Sequence, residues 1–123
     1  MKTQKIALLT TFFFAYLFIN NGLCAQPLAT LVVINNTDNN LSLAINGEEK
    51  NVGARYSTTY LLKPYELYSL VIKDVVIKGK KADLHIKDIK ITSDGGDLTI
   101  EPGMKIYLDT ESEGRKELKA TYE

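Results

Sequence analysis

Leu41-Ser42-Leu43-Ala44-Ile45-Asn46-Gly47 decides the fold class. Three large aliphatic residues alternate with two small ones, and the run ends on Asn-Gly. Side chains of a strand point to opposite faces in turn, so period two means one buried and one wet face. Asn-Gly accepts the positive φ angles of a tight hairpin better than any other common pair. The stretch therefore reads as a strand leading into a hairpin.

The same alternation recurs down the chain. Leu84 and Ile86 flank His85, Ile89 and Ile91 flank Lys90, and Met104, Ile106 and Leu108 are separated by Lys105 and Tyr107. Leu118, Ala120 and Tyr122 repeat it once more. Parity changes between Ile86 and Ile89, which predicts a β-bulge or bend at Lys87-Asp88 to keep both inward. No window after residue 25 sustains the i, i+3, i+4, i+7 spacing of a helix. Turns are marked by Asn35 to Asn40, Lys63-Pro64, Lys78-Gly79-Lys80, Ser93 to Asp97, Glu101-Pro102-Gly103 and Glu111 to Gly114. Strands are expected near 29–35, 41–46, 51–62, 66–72, 74–78, 82–92, 97–100, 104–110 and 116–122. Seven to nine short strands at this spacing predict an all-β antiparallel β-sandwich. Its expected outline is immunoglobulin-like or transthyretin-like, although the Cys, Trp, Cys framework of antibody domains is absent.

The first 25 residues read differently. Lys2 and Lys5 precede Ile6 to Ile19, 14 residues without a charge, followed by Asn20-Asn21-Gly22-Leu23-Cys24-Ala25. A charged start, a short apolar run and a small residue at the cut form the pattern of a cleaved signal peptide. A membrane-spanning helix needs about 20 apolar residues, so the run is short for an anchor. A lipid on Cys24 would call for a small residue before it, and Leu23 stands there. The expected organisation is a signal helix over 1–25 and one domain over 26–123, secreted or periplasmic, with no transmembrane span after cleavage.

Removing the signal removes all four Phe and the single Cys. The remaining 98 residues have no Phe, Trp or Cys, and their 27 Ile, Leu and Val must supply the core without a disulfide. Fifteen acids face 13 bases, a balance that argues against a general nucleic-acid binder, which needs a basic stripe. Charge is uneven: residues 73–90 carry six Lys against three Asp, and residues 94–123 carry eight acids against four bases. These are expected to be solvated faces, with a Lys-rich patch for an anionic partner as the sharper reading.

Catalytic signatures are missing: there is no cysteine nucleophile, Gly-x-Ser-x-Gly elbow, His-Glu-x-x-His or phosphate loop. The chain is not expected to be an enzyme, and no cofactor or metal is implied. His85, the only histidine, is expected on the wet face of its strand, and Asp94-Gly95-Gly96-Asp97 is read as a turn rather than a calcium loop. The richest feature is Tyr56, Tyr60, Tyr65 and Tyr68 within 13 residues. Tyr68 is assigned to the core. Tyr56, Tyr60 and Tyr65 are the candidate partner-binding residues, since tyrosine joins a large apolar area to a polar tip. If 51–62 is one strand, Tyr56 and Tyr60 share a face. The expected role is non-catalytic binding of a protein or cell surface: an envelope accessory, an adhesin-like module or an inhibitor. Carbohydrate or small-ligand binding and a structural subunit of an extracellular assembly are the alternatives.

Overall fold

The computed structural model describes residues 27–122, so the proposed signal helix, its cut after Ala25 and Cys24 lie outside the described residues. The described chain is all β, in two five-stranded sheets. One sheet has the order β4-β1-β7-β8-β9, built from β1 (Ala29–Asn35), β4 (Ser57–Leu62), β7 (Gly96–Glu101), β8 (Lys105–Thr110) and β9 (Gly114–Leu118). The other has the order β10-β6-β5-β2-β3, built from β2 (Leu41–Ile45), β3 (Glu48–Val52), β5 (Tyr68–Ile77), β6 (Lys80–Ile89) and β10 (Ala120–Tyr122).

The inward positions are those that alternation selects. Leu31 and Val33 of β1, Leu43 and Ile45 of β2, Leu84 and Ile86 of β6, and Leu98 and Ile100 of β7 are all buried. Residues of both sheets join in a single hydrophobic cluster, giving a β-sandwich-like arrangement. The bulge at Lys87-Asp88 is present. Tyr68 pairs with Ile89 and Leu70 with Ile86, so β6 spends one residue more than β5 between the same two rungs. Asp88 absorbs it at φ 64°, which keeps Ile86 and Ile89 on the same side.

Five expectations are corrected. The sheets are not wholly antiparallel, because β1 pairs with β7 in parallel from Leu31↔Gly96 to Asn35↔Ile100. Alternation reports which face a residue takes and is silent on the direction of a distant neighbour. The run 51–62 is two strands in different sheets. Gly53 to Arg55 form a turn closed by the Tyr56 amide on the Gly53 carbonyl at 3.0 Å, with Arg55 at φ 67°. The run 116–122 also divides, at Lys119: Leu118 pairs with Ile106 in one sheet and Ala120 with Ile86 in the other. Conversely, 66–72 and 74–78 are one long strand, β5, with an irregularity after Ile72 and Asp74 at φ 55°. Among the described residues there are ten strands, one above the expected range.

Gly95 governs how β7 reaches β1. Its φ is +86°, and a Cβ there would run into the carbonyl oxygen of Thr30. Only glycine allows that approach.

Candidate binding surface

The tyrosines do not form one face. Tyr60 is in the core at 1% exposure. Its hydroxyl donates to the Glu48 carbonyl at 3.3 Å, tying the edge strand of one sheet to that of the other. Burial, helped by the Glu48 charge, pushes its hydroxyl up to about 12. Tyr68 is also buried, and its hydroxyl accepts the Lys63 amide at 2.9 Å. Tyr56 and Tyr65 are exposed at 72% and 62%. They stand at opposite ends of β4, because Tyr56 precedes Ser57, which pairs with Ile34, whereas Tyr65 follows Leu62, which pairs with Ala29. Six residues of strand separate them by about 20 Å.

Tyr56 belongs to a polar knot. Asn35, fully buried, donates to the carbonyls of Asn39, Val52 and Gly53 at 2.7, 3.1 and 3.1 Å. Its oxygen accepts from the Thr37 amide and hydroxyl at 3.1 and 2.6 Å. Arg55 reaches Asp38 at 2.9 Å and Asn36 at 2.7 Å. These contacts satisfy one another within the fold.

Tyr65 is different. Pro64 followed by a positive-φ residue has the order of a type II turn, whose third position favours glycine. Tyr65 holds φ 68° there, with its amide donating to the Ile91 carbonyl at 2.8 Å. A left-handed conformation costs a non-glycine residue roughly 1–2 kcal/mol, and an exposed ring recovers little of this by burial. Leu61 and Leu67, exposed at 63% and 66%, flank this turn in sequence. Leu28, exposed at 52%, precedes Ala29, the partner of Leu62, and so starts at the same end of β1. These three leucines were not among the expected site residues. The signal for Leu61 was in the chain: Tyr60-Leu61-Leu62 places three apolar residues in succession, and one must face out of a strand.

His85 is half-buried on β6 between buried Leu84 and Ile86. The Asp94 loop is a turn, closed by the Gly95 amide on the Thr92 carbonyl at 2.9 Å. A hydrogen bond between the Asp94 and Glu111 carboxyls, and their mutual repulsion, hold Glu111 above the usual carboxylate range. Lys116 does the reverse for Glu113, holding it low across a 2.7 Å ion pair. Among the described residues no group of three or more His, Cys, Asp or Glu is arranged to hold a metal ion, and no helix is long and apolar enough to cross a membrane. Comparison with protein-family models, curated proteins and solved structures gives no match.

Proposed function

We propose that this is a small exported β-sandwich of immunoglobulin-like or transthyretin-like outline that binds a protein or cell-surface partner without catalysis. The end of the molecule carrying Tyr65, Leu61, Leu67 and Leu28 is the binding end. The observation that carries this reading is Tyr65, a large exposed aromatic ring at a backbone position where glycine would be relaxed. Strain kept at an accessible side chain is characteristic of sites that contact other molecules. Aromatic anchors set among aliphatic neighbours carry most of the energy in protein interfaces.

Tyr65→Gly separates function from folding. Glycine removes the left-handed strain but adds about 0.5–1 kcal/mol of chain entropy. The variant is therefore expected to be as stable as the parent, or up to about 1.5 kcal/mol more stable by denaturant titration. Its capture of partners from the envelope and secreted fractions of its own cell, measured by quantitative mass spectrometry, is expected to fall at least tenfold, as for loss of an interface anchor of about 2 kcal/mol. Capture that survives this change would remove Tyr65 from the reading.

A further inference from the structure

On the edge opposite β4, the chain leaves one sheet and joins the other at Lys119, between β9 and β10. The crossing leaves a notch of about 420 Å³ beside β6, lined by His85, Lys87, Asp88, Lys116, Glu117, Leu118, Lys119 and Thr121. The β6 bulge shapes one wall. Without the extra residue Asp88 would turn inward; with it, Lys87 and Asp88 are both exposed side by side. Lys116 is engaged by Glu113 at 2.7 Å. Lys87 and Lys119 make no ion pair among the described residues.

We infer that this notch binds an acidic saccharide, a sugar carrying a carboxylate. The mixed lining selects this class over simpler ones. Lys87 and Lys119 supply two cations for a carboxylate, and Asp88 and Glu117 can accept hydrogen bonds from the ring hydroxyls that a sugar offers and a bare phosphate or sulfate does not. Thr121 adds a donor and acceptor, and the half-buried Leu118 gives an apolar wall for the ring. A neutral sugar would leave the lysines unused. The notch shares no lining residue with the Tyr65 end, so its ligand can be tested separately from the Tyr65 surface.

Titration of the purified protein with a short uronic-acid oligosaccharide, followed by amide NMR at low salt, tests it. The parallel probes are the neutral oligosaccharide of the same linkage and inorganic phosphate. The expected result is shifts confined to residues 85–88 and 116–121, with the neutral sugar at least tenfold weaker. Lys87→Gln with Lys119→Gln is expected to weaken binding about tenfold or more, since two charge-assisted contacts are removed, and to leave amide shifts elsewhere unchanged. Shifts elsewhere only, equal binding of the neutral sugar, reproduction of the pattern by phosphate alone, or a double variant that binds like the parent would each overturn the assignment.

Discussion

Tyr60 illustrates how one hydroxyl ties folding to pH. Its side chain is fully inside, yet its tip needs a partner and finds it in the Glu48 carbonyl. The neutral form is the one the fold accepts, with its pKa raised from 10.0 to about 12. The stability this gives is complete below pH 10 and drains away as pH rises towards 12, because the unfolded chain releases the proton first. Tyr60→Phe is expected to cost about 0.5–1 kcal/mol at neutral pH for the lost hydrogen bond. It should also flatten the fall in melting temperature on the alkaline side relative to the parent. Parallel melting curves from pH 8 to 12 check this, and an alkaline limb unchanged by the substitution would contradict it. Asn35 is the neutral counterpart: with three donated and two accepted hydrogen bonds it is satisfied inside the molecule, so its burial is a structural matter.

Among the elements, β7 depends on a single glycine for its place. Gly95→Ala would drive a methyl group into the Thr30 carbonyl at a positive φ, and is expected to destabilise the protein by about 2 kcal/mol or more. Denaturant titration measures this, and a change within about 0.5 kcal/mol, as at an unremarkable surface site, would refute the close approach. The edges are managed locally. On β4 the Thr59 carbonyl accepts Lys50 at 2.6 Å, which places a lysine over backbone that would otherwise invite another strand. Such details were partly readable beforehand. Period two located β2, β8 and the middle of β6, and the parity slip between Ile86 and Ile89 located the bulge. The turn at Gly53 was passed over because Val52, Tyr60 and Leu62 keep the same parity on both sides of it, although they serve different sheets. Lys119 was invisible for a similar reason: Leu118, Ala120 and Tyr122 alternate without a break across a change of sheet.

At the scale of the whole molecule, the candidate surface was legible only in part. Residue type singled out Tyr56, Tyr60 and Tyr65 as candidate binding residues; Tyr56 and Tyr65 are exposed, whereas Tyr60 is in the core. What alternation could not convey is position along the sandwich, which sets Tyr56 and Tyr65 at opposite ends and places Leu28 beside the turn that follows β4. The notch at Lys119 exists only through long-range pairing, since residues 85–88 and 116–121 meet through β10 on β6. Such pairing has a kinetic signature. Chains dominated by distant contacts close large loops before they gain stability, and refold on the order of milliseconds to seconds. Stopped-flow refolding is expected in that range, and a microsecond phase completing the fold would rule it out.

The parallel union of β1 and β7 carries this further. Leu31 meets Gly96, so the earliest described strand lies inside its sheet, second from the edge, and waits for a neighbour made about 65 residues later. During vectorial emergence, from a ribosome or through a translocation pore, β1 can have β4 on one flank while the other stays bare until β7 arrives. Completion of this sheet is thus timed by β7, and a holding factor acting in that interval would act on an open flank of β1.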